Sequence, residues 1–173
     1  MQRVLVIGCS GAGKTHLAQA LAARTGLPVV HLDAHFWRPG WVEPAKAEWE
    51  AQLAVLLAEP AWIMDGNYGG SLVQRLPRAD TAILLDYPTW LCLWRVLKRT
   101  LRHRGRNRPD IGAGCVERFD WSFLRYVLAY RRQHRPRALA KLAGFSGDFL
   151  VLKSPRETDR YLAGLKTRPS APA

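Results

Sequence analysis

The chain has 173 residues, a length that suits one α/β domain with a substantial hydrophobic core. Its three cysteines, Cys9, Cys92 and Cys115, are odd in number and form no C-x-x-C pair. This pattern argues against a disulfide framework or a structural zinc site and favours a reducing cytoplasm. The most apolar later stretch, residues 81–94, is interrupted by Asp86 and is too short to span a bilayer.

The net charge of +12 lies mostly in one region of the chain. Residues 95–141 contain fourteen lysines or arginines against three acidic residues, whereas the remainder is nearly neutral. A basic region of this density indicates an anionic partner, and polyphosphate, nucleic acid and a membrane surface all fit that description. Charge alone does not distinguish these three partners.

The N-terminal residues predict a strand, a glycine-rich loop and a helix in direct succession. Val4–Ile7 is a β-branched, apolar run typical of a buried strand. Gly8, Gly13, Lys14 and Thr15 then occupy every fixed position of G-x-x-x-x-G-K-[ST], and apolar residues at helical spacing follow them. The motif therefore has the strand, loop and helix context that a phosphate-binding loop requires.

Each residue type in this loop has a chemical role in holding phosphate. The glycines allow consecutive backbone N–H groups to point at phosphate oxygens, and the N-terminus of the following helix adds partial positive charge. We expect Lys14 to reach the β- and γ-phosphates and the Thr15 hydroxyl to hold Mg²⁺. The expected nucleotide contacts are Gly8, Ser10, Gly11, Ala12, Gly13, Lys14, Thr15 and His16. The alternative is a glycine-rich turn that binds nothing.

The rest of the chain alternates between predicted strands and helices. Further strands are predicted at residues 27–32, 61–64, 81–85 and 149–152, with helices at 44–58, 71–76, 88–104, 121–134, 136–143 and 156–165. This alternation indicates a three-layer α/β fold of the P-loop NTPase type, with a five-stranded parallel sheet and helices on both faces. We predict one domain over residues 1–168, with an acceptor-side insertion at about 34–60, a mobile arginine-rich lid at about 105–120 and a disordered tail at 169–173.

Three of the predicted strands lead into a carboxylate, namely Asp33, Asp65 and Asp86. Because ligands of parallel sheets bind at the carboxyl ends of the strands, we expect these carboxylates on the side of the glycine-rich loop. Asp33 could orient an acceptor hydroxyl, act as a base or hold Mg²⁺ through water, and Asp65 is expected to hold Mg²⁺ together with Thr15. The alternatives are a loop-capping carboxylate at Asp33, an Asp-Gly turn at Asp65 and a helix start at Asp86.

The order of these features resembles the adenylate kinase and shikimate kinase group of P-loop kinases. The segment Asp65-Gly66-Asn67-Tyr68 is similar to the Asp-Gly-Phe-Pro motif of adenylate kinases, and Arg95 and Arg99 are similar to arginines on their proline-started helix. The resemblance implies that Arg95 contacts the nucleotide and that Lys153 lies near the adenine. The chain departs from that group in the second half of the Asp-Gly motif and in its lid, where Cys115 is the only cysteine.

A narrower resemblance extends from Val4 to about Leu165. The segments WIMDGNY, LCLWRVLKRTLRHRG, RPD and GCVER are similar to bacterial adenylate-kinase-like proteins known as DNA topology modulation or FlaR-related proteins. This resemblance implies a kinase-like fold and says much less about the substrate. The name of that group suggests an effect on DNA, which need not mean direct binding.

Arginines are concentrated around the predicted lid, where closure over ATP would bring them to the γ-phosphate. The predicted catalytic residues are Lys14, Asp33, Arg99, Arg106 and Arg132, and Arg102, Arg104, Arg108, Arg118 and Arg131 are further candidates. The alternative for any one of these arginines is a solvated basic face. In the insertion, Trp37 and Trp41 either stack on an acceptor ring or pack the loop onto the core.

Together these features predict a cytoplasmic phosphotransferase that moves the γ-phosphate of ATP to a small-molecule or nucleotide acceptor with Mg²⁺. We expect a nucleoside triphosphate and that acceptor as partners, and no membrane. The alternative is a nucleotide-regulated nucleic-acid-binding protein that influences DNA topology, with residues 95–141 on the phosphates. Binding to a nucleic-acid backbone would weaken steeply with salt, with a slope of about −0.9 per phosphate neutralised.

Overall fold

The computed structural model describes residues 1–107 and 111–165, so that Arg108 and the predicted tail at 169–173 lie outside the described residues. The strands are β1 (Arg3–Gly8), β2 (Val29–His31), β3 (Trp62–Asp65), β4 (Thr81–Leu85) and β5 (Asp148–Leu152). The helices are α1 (Lys14–Thr25), α2 (Leu32–Phe36), α3 (Lys46–Ala58), α4 (Leu72–Arg75), α5 (Thr89–His103), α6 (Trp121–Ala129), α7 (Arg135–Leu142) and α8 (Pro155–Gly164). A 3₁₀ turn at Leu76–Arg78 follows α4, and a π turn at Tyr130–His134 joins α6 to α7.

The five strands form one parallel sheet in the order β2-β3-β1-β4-β5. On one side β1 pairs with β3, with Val6 opposite Asp65, and on the other it pairs with β4, with Gly8 opposite Leu85. The loop after β1 therefore begins between the carboxyl ends of β3 and β4, where parallel sheets place their ligands. The predicted fold class is confirmed.

Alternate side chains of the central strand enter two apolar layers. Val4 and Val6 pack in the layer that contains apolar residues of α1, α5, α6 and α8, whereas Leu5 and Ile7 pack with those of α3, α4 and α7. All four side chains are at most 2% exposed, as expected for a strand covered on both faces. Because helices cover both faces of the sheet, its carboxyl edge is the part open to a ligand.

Two predicted boundaries differ from the structure in ways that bear on the site. Strand β2 covers only Val29–His31, and α2 starts at Leu32, so Asp33 lies in the first turn of a helix instead of at a strand end. In the described sheet β2 is an edge strand that pairs with β3, and it ends at His31 because α2 begins at the next residue.

The two helices predicted at 121–134 and 136–143 form one continuous helical path. The π turn carries the chain from α6 into α7, and Pro136 lies in the first turn of α7, where the missing N–H of proline costs little. A π turn inside a helix changes which side chains point at a neighbouring element, and such turns are frequent at functional sites.

Among residues 1–107 and 111–165, every helix is too short or too polar to cross a lipid bilayer.

Candidate functional site

The loop between β1 and α1 has the lysine of the motif folded over its own backbone. Lys14 is the first residue of α1, and its Nζ donates hydrogen bonds to the carbonyl oxygens of Gly8 at 3.0 Å and Cys9 at 3.2 Å. The loop is closed further by a hydrogen bond from the Ala12 N–H to the Cys9 carbonyl at 3.0 Å. The ammonium group is therefore held against the backbone at the start of the loop.

Two glycines of the loop are required by close packing. A Cβ at Gly8, whose φ is +148°, would lie 2.6 Å from the carbonyl oxygen of Leu85, and one at Gly11, whose φ is +84°, would overlap the carbonyl oxygen of Cys92. Both φ values lie in a region that L side chains rarely adopt. The loop is thus pressed against the end of β4 and against α5.

Arg95, which the resemblance to adenylate kinases predicts to contact the nucleotide, lies at this loop. Its guanidinium Nη1 donates to the carbonyl oxygen of Ala12 at 3.4 Å, and its Cζ lies 5.7 Å from the centre of the Tyr87 ring. Lys14 and Arg95 therefore bring two positive charges to one loop. Ser10 and Thr15 are half-buried beside them, and His16 is exposed.

The three predicted carboxylates each have a hydrogen-bonded partner. Asp65 is 5% exposed, and its Oδ1 lies 2.8 Å from Nδ1 of His31. Oδ1 of Asp33 accepts a hydrogen bond from the Tyr68 hydroxyl at 2.6 Å. The third, Asp86, accepts two hydrogen bonds from Arg135. Burial, followed by the charge of Asp33, raises the pKa of Tyr68. The hydroxyl therefore stays protonated and donates a hydrogen bond to the carboxylate.

Asp86 and Arg135 form an ion pair with two hydrogen bonds. Nε of Arg135 donates to Oδ1 at 2.8 Å and Nη2 to Oδ2 at 2.7 Å. Asp86 is 7% exposed, and the hydrogen bond to its carboxylate raises the pKa of Arg135. The pair connects the end of β4 to the start of α7.

Asn67 connects the loop after β3 to the glycine-rich loop. Its Oδ1 accepts from the Gly8 N–H at 3.0 Å, and its Nδ2 donates to the Tyr126 hydroxyl at 3.0 Å. One amide side chain thus joins β1, the segment after β3 and α6. The sequence indicates only that Asn67 replaces the phenylalanine of the Asp-Gly-Phe-Pro motif.

Arg75 holds this segment in place, and sequence reasoning missed it. Its side chain is fully buried, with Nη1 donating to the Gly66 carbonyl at 3.1 Å and Nη2 to those of Asn67 and Tyr68 at 2.5 and 3.1 Å. Burial lowers the pKa of Arg75 to about 10, which leaves the guanidinium charged at neutral pH. The signal in the sequence was its position between Leu72 and Leu76, on the apolar stripe of α4.

The arginines and the lysine predicted to complete the site do not converge on the loop. Nε of Arg99 lies 3.6 Å from Oε1 of Glu117, and its guanidinium lies 5.8 Å from the centre of the Phe123 ring. Arg106 and Arg132 are exposed. Lys153 is exposed after the edge strand β5, and its backbone N–H donates to Glu157 at 2.8 Å.

The described part of the predicted lid is attached to the aromatic insertion. The Gly40 N–H donates to the Gly114 carbonyl at 2.9 Å, Nε1 of Trp41 donates to the Val116 carbonyl at 2.8 Å, and Sγ of Cys115 donates to the Arg38 carbonyl at 3.1 Å. Trp41 also packs edge-on against Trp37, with ring centres 5.5 Å apart. Both tryptophans therefore contact protein, as the packing interpretation of this loop expects.

A cavity of about 640 Å³ opens at the carboxyl edge of the sheet, on the α7 side. Its lining consists of Ile7, Asn67, Gly69, Gly70, Leu72, Tyr130, His134, Arg137, Ala138, Ala140 and Lys141. It borders the glycine-rich loop through Asn67, whose Oδ1 accepts from Gly8. The volume is that of a small-molecule site.

Comparison with solved structures identifies this architecture. Superposition matches a sugar kinase from Janibacter sp., with a TM-score of 0.50 and 21% identity over 98% of this chain and 97% of that chain. It also matches a shikimate kinase from Acinetobacter baumannii in complex with shikimate, with a TM-score of 0.55 and 14% identity over 94% and 89%. The chain has the fold of P-loop kinases. A protein from Chloroflexus aurantiacus, provisionally described as a kinase, matches with a TM-score of 0.50 and 17% identity over 94% of both chains.

These identities show a shared fold and leave the reaction of this chain open. No protein-family profile matches the sequence, and no curated protein does. A P-loop kinase fold also agrees with the position of the glycine-rich loop at the end of the central strand. What this chain does therefore rests on its own residues.

Proposed function

We propose that the protein transfers the γ-phosphate of ATP to a small-molecule or nucleotide acceptor. The observation that carries this proposal is the complete G-x-x-x-x-G-K-T loop at the carboxyl end of β1, with Lys14 and Arg95 both held against its backbone. Phosphoryl transfer depends on positioning and on stabilising charge at the phosphate oxygens. The loop amides, the ammonium of Lys14 and the guanidinium of Arg95 can supply that stabilisation.

The residues at the loop fit a bound magnesium ion. Thr15 offers a hydroxyl in the first turn of α1, and Asp65 offers a carboxylate at the end of β3, which neighbours β1. Oxygen ligands of this kind suit Mg²⁺, which keeps several waters and binds phosphate oxygens as well. When bound, the ion would neutralise charge on the phosphates. In this proposal Thr15 contacts it directly and Asp65, oriented by His31, holds its water.

Asp33 is the residue we assign to the acceptor hydroxyl. Its contact with Tyr68 fixes the carboxylate at the edge of the sheet. Tyr68 directly follows Asn67, whose side chain accepts a hydrogen bond from the Gly8 N–H of the glycine-rich loop. Arg99, Arg106 and Arg132 would complete the site on closure of the lid, and Lys153 would lie near the adenine.

A second function, nucleotide-regulated binding of nucleic acid, is favoured by one observation. Among the described residues from 102 to 132, seven arginines are solvent-exposed: Arg102, Arg104, Arg106, Arg118, Arg125, Arg131 and Arg132. An exposed basic surface can contact a phosphate backbone, which the narrower resemblance to DNA topology modulation proteins would also suggest. A steep loss of affinity between low and moderate salt would support this function.

The test is turnover of Mg-ATP followed by phosphorus NMR across a panel of acceptors. Nucleoside monophosphates would be tried first, then nucleosides, then small alcohols. Lys14→Ala should abolish acceptor-dependent transfer, whereas Lys46→Ala, which removes an exposed lysine of α3 whose Nζ lies 3.8 Å from Oε1 of Glu50, should leave it unchanged. Tight binding of ATP without transfer to any acceptor would favour the second function.

A further inference from the structure

The cavity beside α7 differs in character from the aromatic insertion. Two rings of the insertion, Phe36 and Trp49, pack with Tyr68 from the segment after β3, and the three ring centres lie 4.6 to 5.6 Å from one another. These rings fill the space between α2, α3 and the segment after β3. The α7 side has about 640 Å³ of room, enough for a small molecule.

The polar side chains at this cavity are basic. His134, Arg137 and Lys141 contribute from one continuous helical path, and no aspartate or glutamate is among the described residues that line it. Nζ of Lys141 donates to the Gly69 carbonyl at 2.5 Å, which holds the ammonium at the wall. Arg137 has no ion-pair partner within the part of the chain that the structure describes, whereas Arg135, two residues before it, is paired with Asp86.

His134 lies beside the basic side chains of this cavity, and its pKa reflects that environment. Partial burial and the charge of Arg137 both lower its pKa. The Tyr126 ring lies 4.7 Å from the imidazole, with a tilted geometry. A neutral imidazole beside an arginine and a lysine can donate one further hydrogen bond to an anion.

The opposite wall of the cavity belongs to the glycine-rich loop region. Asn67 lines the cavity and accepts the Gly8 N–H at 3.0 Å. Gly69 and Gly70 also line it, and both have open space around the Cα, with no atom within 4 Å of an added Cβ. A molecule in the cavity therefore approaches the start of the glycine-rich loop at one end and the cations of α7 at the other.

We propose that this cavity binds the phosphoryl acceptor, and that the acceptor carries an anionic group, phosphate or carboxylate, which Arg137 and Lys141 recognise. The inference rests on the proposed function, because it assigns the acceptor of that reaction. The anionic group lies against α7, and the hydroxyl that receives the phosphoryl group points past Asn67 toward the glycine-rich loop. The oxygen of that hydroxyl forms the new bond to the γ-phosphorus, the bond to the β-γ bridging oxygen breaks with ADP leaving, and the hydroxyl proton passes to water in the cavity.

The direct test is an amide NMR titration of the full chain with inorganic phosphate and, separately, with acetate. Amides of Gly69 and Gly70 report the cavity, whereas those of Gly11 and Gly13 report the glycine-rich loop. We expect saturable shifts at the cavity amides, with the anion affinity lowered about tenfold or more in Arg137→Gln, as loss of a hydrogen bond to a charged group predicts. Arg156→Gln, which removes an exposed charge from α8, should bind as the unaltered protein does.

The two anions separate the sources of the negative charge. Shifts with phosphate alone assign a phosphate-bearing acceptor, and shifts with acetate as well extend the class to carboxylates. Absence of saturable shifts at Gly69 and Gly70 with both anions, or equal affinity in Arg137→Gln, would overturn the proposal. Since the loop amides are read in the same titration, failure at the cavity is distinguished from failure of the phosphate-binding loop.

Turnover provides a second measurement. Among acceptors offered as matched pairs, such as a sugar phosphate and the free sugar, the anionic member should be preferred. Arg137→Gln should raise KM for that member about tenfold or more, with KM for ATP unchanged. Equal use of the charged and neutral members by the unaltered protein would contradict the assignment.

Discussion

Replacement of Arg75 by methionine tests how the segment after β3 is supported. Methionine fills similar space but donates no hydrogen bond, so the carbonyls of Gly66, Asn67 and Tyr68 lose this donor in a buried environment. Hydrogen bonds to a charged group contribute about 1.5–3 kcal/mol each, or roughly 5–9 kcal/mol for three. The guanidinium of Arg75 is fully buried. The methionine variant avoids the cost of desolvating that charge, which offsets several kcal/mol of the lost hydrogen-bond energy.

The difference between these opposing effects is a loss of about 2–4 kcal/mol in the free energy of unfolding. Urea denaturation should detect it as a midpoint lowered by about 1–2 M, with an unchanged slope. Arg78→Met is the matched control, because Arg78 lies three residues further on and is exposed. Its effect should be within about 0.5 kcal/mol of zero.

The same variant should weaken nucleotide binding, since Asn67 would no longer be held where it accepts the Gly8 N–H. Arg75→Lys should be intermediate, because a single ammonium cannot match the fork that spans three carbonyls. If Arg75→Met is as stable as Arg78→Met, the carbonyl contacts do not support the segment and the reasoning fails. If stability falls but ATP affinity is unchanged, Arg75 supports the fold without acting on the loop.

Three other contacts give quantitative expectations. Tyr126→Phe removes the hydroxyl that Asn67 contacts and should cost about 1 kcal/mol in urea denaturation, and a loss below about 0.3 kcal/mol would contradict this. Arg135→Met leaves the buried carboxylate of Asp86 without this partner and should cost about 1–3 kcal/mol in the free energy of unfolding. Adding Asp86→Asn to this variant should restore part of that loss, and no restoration would argue against the pair. Trp41→Phe loses the hydrogen bond to the Val116 carbonyl and should speed proteolytic cleavage within residues 111–120 about fivefold, whereas an unchanged rate would show that this contact does not hold the segment.

The sequence predicted the fold because the signals for it are local. Each buried strand is an apolar run of a few residues, and the glycine-rich motif fixes where the central strand ends. The same motif predicted the position of Lys14 at the start of α1. The edge strand β2 was predicted too long because the short helix α2 begins directly after it, at Leu32, within the apolar run that the pattern assigns to the strand.

The contacts around the loop could not be predicted in the same way, because they join residues far apart in the chain. Asn67 and Gly8 are 59 positions apart, and Arg135 and Asp86 are 49 apart. An arginine such as Arg75 ordinarily indicates a surface position, and its burial depends on three carbonyls that the tertiary structure turns toward it. The cavity likewise combines the end of β1, the segment after β3 and α7.

Helix α7 connects the two sides of the central strand. At its start, Arg135 pairs with Asp86 at the end of β4, and near its other end, Lys141 donates to Gly69 after β3. Because β3 and β4 flank β1, one helix is tied to both neighbours of the strand that leads into the glycine-rich loop. An anion bound between Arg137 and Lys141 would therefore rest on an element that the end of β4 already holds in place. In the proposed complex, Arg135 stays paired with Asp86, and Arg137, which lines the cavity, would contact the anion.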